Sequence, residues 1–213
     1  MCFASILSDR IHKPLMITTC VRVIKEKSTM PRIRVVLQDV TCYDTEDVTG
    51  ADEFYLAGAI SDGATSTGVL TRPISVNDKQ TKAFGVGGGT VFDADVPENR
   101  IVKVALIAFD EDSNKDWSKH GETVTKIGKA VSSGLATIPN PYTAAAGVIL
   151  PFAISAVGGI MSLDQDDELG QHLREFPVWS VPSGEHLQIW GFKGGGGWYS
   201  SWKYAVRYRV IRG

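Results

Sequence analysis

A stretch of thirty-four residues, Ala130 to Leu163, carries no charged side chain and ends against Asp164, Asp166, Asp167 and Glu168. Even a largely buried helix keeps one wet face with Lys or Glu on it, so a run this long has to be covered. Either the rest of the protein covers it or a bilayer does. Within and just before the run the hydrophobic period is helical: Val124, Ile127, Val131 and Leu135 recur along Thr123 to Thr137, with Lys126 and Lys129 on the other side. Pro139, Asn140 and Pro141 interrupt that pattern, and Thr143 can cap a second helix running to about Ser162. The spacing therefore predicts an α-helical hairpin over about 122–163.

At 1.5 Å per residue the second arm would be about 31 Å long, the thickness of a bilayer core. Small residues fill it. Ser155 and Gly159 are four apart, as are Ala130 and Gly134 in the first arm, a spacing that permits close helix contact. Pro151 is expected to kink the second helix. Two readings stay open: a hairpin packed across a sheet face or in an oligomer interface, and a hairpin that enters membrane lipid through Val148, Ile149, Leu150, Phe152 and Ile154.

Around the hairpin the pattern changes to short alternating, β-branched segments bounded by Gly, Pro, Asp or Asn. They are Leu15–Ile24, Arg32–Thr41, Glu53–Ile60, Gly68–Val76, Lys82–Phe92, Arg100–Phe109, Arg174–Val181, His186–Phe192 and Trp202–Ile211. That rhythm predicts a mainly β fold, an antiparallel sandwich of about eight strands with the hairpin as an insertion. In the last segment Tyr204, Val206, Tyr208 and Val210 should share one face, opposite Arg207 and Arg209. Residues 1–29 read as an N-terminal extension or an additional strand, and 30–213 as the sandwich. The first residues lack the continuous apolar stretch of a secretory signal, because Asp9, Arg10, His12 and Lys13 interrupt it, so a soluble protein, peripheral to membrane at most, is expected.

A net charge of −2 argues against a general nucleic-acid binder. The distribution is uneven: from Lys193 onward there are five basic residues and no acidic one, whereas most carboxylates lie between Asp39 and Asp116. Cys2, Cys20 and Cys42 have no metal-ligand spacing. His12, His120, His172 and His186 are scattered, and no nucleophile motif accompanies them, so an enzyme is not expected. Gly85 to Thr90 is glycine-rich, but without the Lys-Ser/Thr of a nucleotide-binding loop it reads as a tightly turning edge strand.

Two acidic segments stand at strand ends. One holds Asp44, Asp47 and Asp52 around Gly50; the other follows Phe109 with Asp110, Asp112 and Asp116. Clustered carboxylates repel one another unless solvent or a cation relieves them, and Ca²⁺, which takes six to eight hard oxygens in flexible loops, is the natural candidate. Solvated acidic turns that hold no metal are the other reading. These residues resemble the calcium-binding loops of the C2 domain family. In that family the first loop pairs an Asp with a Gly and a second Asp before the next strand, as Asp47, Gly50 and Asp52 do here. The third loop follows a strand-ending hydrophobe with Asp-x-Asp, as Phe109, Asp110 and Asp112 do. The family's further Asp and strand-opening Gly look like Asp166 or Asp167 and Gly170, displaced beyond the hairpin.

The resemblance implies a calcium- and lipid-binding β-sandwich in which Asp44, Asp47, Asp52, Asp110 and Asp112, helped by Asp116 or Asp167, hold Ca²⁺. It also implies that the hairpin emerges at the end presented to lipid, in the manner of a membrane-perturbing or pore-forming protein that oligomerises. The glycine-rich stretch from Trp190 to Lys203 has two readings: Trp198 and Trp202 either meet a bilayer interface or cap the sandwich core.

Overall fold

The apolar alternation of Arg32–Asp44 and Ser201–Arg212 builds the centre of one sheet, in which these strands, β1 and β10, lie antiparallel. The computed structural model describes residues 30–45, 50–85, 89–111, 119–141, 146–161, 166–195 and 201–213; within the second helix the side chains of 146–150, 152 and 161 are excluded. Between β1 and β10 come β2 (Asp52–Ser61), β3 (Ser66–Leu70), β4 (Ile74–Val76), β5 (Thr81–Ala83), β6 (Gly89–Asp95), β7 (Ile101–Asp110), α1 (His120–Leu135), α2 (Ala146–Met161), β8 (Asp167–Pro177) and β9 (Gly184–Gly195). One antiparallel sheet runs β5-β1-β10-β9 with β6 also on β1; the other runs β3-β2-β7-β8 with β4 also on β2.

The fold is mainly β, a two-sheet sandwich. Among the described residues there are ten strands, two more than the alternation predicts, because two expected strands are each divided. Pro73, which has no N–H for a ladder, separates β3 from β4. Gly85, at φ 102°, lies between β5 and β6. The expected strand Leu15–Ile24, with the rest of residues 1–29, lies outside the described residues.

Two apolar layers hold the molecule together. Between the sheets, Ile33, Val35, Leu37 and Val40 of β1 and Tyr204, Val206, Tyr208 and Val210 of β10 meet Phe54, Leu56 and Ile60 of β2 and Val102, Val104 and Leu106 of β7. The second layer lies on the far side of the second sheet. Tyr55, Ala57, Ala59, Ala105, Ile107 and Phe109 occupy the alternate positions of β2 and β7, and they too are buried. A strand with apolar residues in both registers has to be covered on both faces.

The helices supply that cover, through Ile127, Val131 and Leu135 of α1 and Ala153 and Val157 of α2. At β3, α1 comes into backbone contact: a Cβ added at Gly68 would stand 2.1 Å from the Val124 carbonyl oxygen and 2.9 Å from the Gly128 nitrogen. The close approach therefore uses Gly68 and Gly128. Ser155 and Gly159, the small pair read as a helix contact, are exposed.

The direction of the helix pair also differs from expectation. His120 Nε2, at the start of α1, hydrogen-bonds the Leu70 carbonyl at 2.6 Å, whereas Gly128, two turns on, meets Gly68. Beyond α1, the Pro141 carbonyl accepts from Lys103 Nζ at 3.2 Å, at the opposite end of β7 from Asp110. After α2 the chain returns to Asp166, whose carboxylate accepts from the Tyr55 hydroxyl at 2.5 Å. The pair thus leaves the pole that holds Asp110, lies along the outer face of the sheet and turns at the far pole. It does not project from the acidic end. Burial drives this arrangement, since the dry face of β2 and β7 lies directly alongside. Among the described residues the second helix covers sixteen residues, or about 24 Å. Among the described residues no helix is long and apolar enough to cross a membrane.

Gly68→Ala tests the backbone contact. The added methyl has to displace α1 from β3, which is expected to lower unfolding stability by about 1–3 kcal/mol, read from the midpoint of chemical denaturation. An unchanged midpoint would show that α1 is not seated on β3.

Candidate functional site: the acidic pole

Strand register brings four of the seven carboxylates read as calcium ligands to one pole. Asp44 closes β1 and Asp52 opens β2; Asp110 closes β7, directly opposite Phe54 of β2 on one side and Asp167 of β8 on the other. Asp47, Asp112 and Asp116 lie outside the described residues. The described residues that precede them, Thr45 after β1 and Glu111 after β7, stand at this pole.

Each of these four carboxylates stands in a different environment. Asp52 is 1 % exposed and accepts from the Tyr204 phenol across the sandwich. Asp110, 5 % exposed, accepts from the Glu53 backbone N–H at 2.7 Å. Asp44 is exposed and accepts from Ser201 Oγ at 2.7 Å, while Asp167 is exposed at the mouth of β8. Among the described residues no three His, Cys, Asp or Glu side chains are grouped closely enough to hold a metal ion. The described part of the pole therefore holds two carboxylates, Asp52 and Asp110, two positions apart across adjacent strands and both withdrawn from water, which is electrostatically costly.

Alternation places Tyr204 inward, but its partnership with Asp52 spans 152 residues and has no sequence signature. Burial pushes the Tyr204 hydroxyl well above the ordinary phenol range, and the hydrogen bond to Asp52 pushes it further in the same direction. Cys42 is buried beside it and its thiol is pushed up to about 11, mainly by burial, so it remains protonated. Asp78, at the same pole, accepts from the Thr45 N–H at 2.8 Å and the Thr45 hydroxyl at 3.1 Å, fastening the 77–80 turn to the end of β1. Local spacing gives no reason to single out Asp78.

The residues read as lipid contacts fall differently. Ile154 is half-buried against the layer beneath the helices. Trp202 faces inward, packs on the inter-sheet core and donates its indole N–H to the Leu169 carbonyl at 2.8 Å, binding β10 to β8. Its ring fills the place a side chain at Gly194 would take. Trp190 and Phe192 join the same core, so the described aromatics of this stretch cap the sandwich. Val148, Ile149, Leu150 and Phe152 belong to α2, but their side chains lie outside the description, as does Trp198 altogether.

The described histidines stand apart. His120 is bonded to the Leu70 carbonyl, His186 Nε2 to the Pro182 carbonyl at 2.8 Å, and His172 stacks on Trp190 while sharing a 2.8 Å hydrogen bond with the Tyr208 hydroxyl. Burial lowers the His172 imidazole from 6.5 to about 4, with Arg174 acting in the same direction.

Two outcomes follow from these environments. Tyr204→Phe leaves a buried Asp52 oxygen without its phenol donor, so the protein should lose about 1–3 kcal/mol of stability by denaturant titration. His172 makes stability depend on pH. The unfolded chain takes up a proton near pH 6.5 and the folded protein only near 4, so stability is full above that window and falls as pH drops through it. Allowing for partial exposure, the loss is on the order of 2 kcal/mol. His172→Gln should flatten that part of the profile, and a profile identical to wild type would show that His172 does not titrate as its surroundings dictate.

No family model matches the chain, and no curated protein does. Among solved structures it is similar to human GIVD cytosolic phospholipase A2 in complex with methyl gamma-linolenyl fluorophosphonate inhibitor and terbium chloride, at 11 % identity and a TM-score of 0.43. A second structure of human GIVD cytosolic phospholipase A2 gives 10 % identity and the same TM-score. In both cases 87 % of this chain is covered, and the chain spans only 17 % of the length of that enzyme.

Proposed function

We propose that this chain is a non-enzymatic β-sandwich that associates with membrane lipid in a calcium-dependent manner, with Ca²⁺ bound at the acidic pole. The observation that carries this reading is the placement at one pole of Asp52 and Asp110, two buried carboxylates from adjacent strands two positions apart, with Asp44 and Asp167 at the neighbouring strand ends. A hard divalent cation relieves the repulsion between such groups, and the mixture of carboxylate and carbonyl oxygens at strand ends suits its coordination. Asp47, Asp112 and Asp116, in the two segments leaving the pole, complete the proposed ligand set. The resemblance to C2 loops at Asp47, Gly50, Asp52, Phe109 and Asp110 points the same way. A cation there also reduces the negative field that opposes approach to anionic headgroups.

The helix pair has a second reading, favoured by the burial of Ile127, Val131, Leu135, Ala153 and Val157. In it the pair is a permanent cover, and the protein is an interaction module whose acidic turns stay solvated. A membrane-perturbing or pore-forming role, alone or as an oligomer, requires the pair to swing off the second sheet and uncover Tyr55, Ile107 and Phe109. The two readings differ in what calcium and lipid do to the pair.

Melting in calcium against melting in chelator tests the metal site. At a hundredfold excess over its dissociation constant, bound calcium adds about 2.7 kcal/mol, and Asp52→Asn with Asp110→Asn should abolish the shift. An identical melting temperature in calcium and chelator rejects the site and leaves the solvated-turn reading. Hydrogen exchange of α1 and α2 with and without vesicles then decides whether the cover opens.

A further inference from the structure

Among the described residues no helix lies over the outer face of the first sheet, whereas α1 and α2 cover that of the second. On the former face β10 and β9 set Lys203 directly opposite Lys193, and the next outward pair is Ala205 opposite Gly191. Two small residues between larger ones leave a groove of about 490 Å³, bordered by Tyr43, Lys193 and Lys203 with Gly191 and Ala205 as its floor. The Lys203 ammonium stands 5.2 Å from the Tyr43 ring centre, which fixes it at the rim.

The arginines that β10 sets on this face are ion-paired. Arg207 makes a two-pronged bond to Asp39 at 2.7 and 2.6 Å, and Arg209 pairs with Glu185 at 2.6 Å. Lys193 and Lys203 make no ion pair among the described residues, although like charges directly opposite on neighbouring strands destabilise a sheet. Asp44, the neighbour of Lys203 on β1, has its carboxylate engaged by Ser201. Further along β9 the outward residues are Ile189, 65 % exposed, and Leu187, 52 % exposed; Tyr43 is 50 % exposed. A pair of free ammonium groups over a groove, flanked by exposed apolar side chains, is complementary to a lipid surface that offers phosphate beside hydrocarbon.

We propose that the groove between Lys193 and Lys203 seats the phosphate of an anionic phospholipid headgroup, so that the protein meets the bilayer with the flank of its first sheet as well as with the acidic pole. This inference rests on the membrane-associating reading and names the face and the headgroup chemistry. It does not require calcium, since both charges belong to the chain.

Co-sedimentation with phosphatidylcholine vesicles containing phosphatidate tests it, in chelator, with three variants checked for folding by their melting temperature. Lys193→Glu with Lys203→Glu should weaken binding about tenfold or more. Gly191→Leu keeps both charges but fills the groove; its Cβ meets nothing closer than 4.0 Å, so the fold tolerates it, and binding should fall similarly. Lys126→Glu with Lys129→Glu, on the exposed side of α1, makes the same charge change elsewhere and should bind like wild type. Wild-type binding that survives the first two variants, or falls equally in the third, overturns the groove while leaving the membrane reading intact. No wild-type binding to any vesicle, with or without calcium, overturns both. A melting shift with inositol hexakisphosphate that the Lys variants abolish, in a protein that ignores vesicles, overturns the lipid source in favour of a soluble phosphate.

Discussion

The second sheet is dry on both faces, and much else in the molecule follows from that. β2 and β7 place Phe54, Leu56, Val104 and Leu106 toward the first sheet and Tyr55, Ala57, Ala105 and Ile107 away from it. A sheet with one wet face leaves its outward positions to polar side chains, and this one cannot. The uncharged run from Ala130 onward exists because helices lying on such a surface need an apolar underside. Lys103 shows the same constraint from the other side. It points outward from β7 into a region sealed by the helices, is 1 % exposed, and meets the Pro141 carbonyl, with Glu175 at 3.9 Å. Burial lowers its pKa, with Glu175 opposing the shift, so its ammonium fastens the helix turn at a real desolvation cost.

Much of this architecture was legible in the chain, and the failures have physical causes. The alternation of Tyr204, Val206, Tyr208 and Val210 gave the inward face of β10 correctly, because a period of two admits one assignment once one face is buried. Pro73 divided a strand that hydrophobicity alone joined. Of the two readings left open for the helix pair, the described helices follow the one packed across a sheet face, and the strands carry its signal: Phe54 to Ile60 and Val102 to Phe109 are apolar in both registers, and such strands need a cover on each side. The uncharged run alone left a sheet face and a bilayer both open; the resemblance to C2 loops was what pointed the helices outward.

The acidic pole was legible in outline only. The acidic strand ends and the resemblance to C2 loops collected Asp44, Asp52, Asp110 and Asp167, which flank the β1–β2 and β7–β8 connections at one end of the sandwich. Which of them are buried depends on tertiary partners, and a linear sequence does not encode that Tyr204 reaches Asp52 or that the Glu53 amide turns to Asp110. Trp202 was read by composition, as an aromatic near glycines and lysines, whereas its direction follows from its even position on β10. The basic residues after Lys193 were seen as a compositional excess. Register divides them into satisfied arginines and two adjacent lysines, and that division gives the face its chemical character.

β7 and β8 are neighbours in an antiparallel ladder, with Asp110 directly opposite Asp167. Two residues would suffice to join them, as in any tight hairpin. α1 and α2 therefore come in the chain between two strands that are already neighbours in the sheet. A shortened version would keep its ladder but bare the outer face of the second sheet, a surface too apolar to remain open to water. Water would then meet Tyr55, Ile107 and Phe109 directly, so the helices are as much a part of the fold's solubility as of its core.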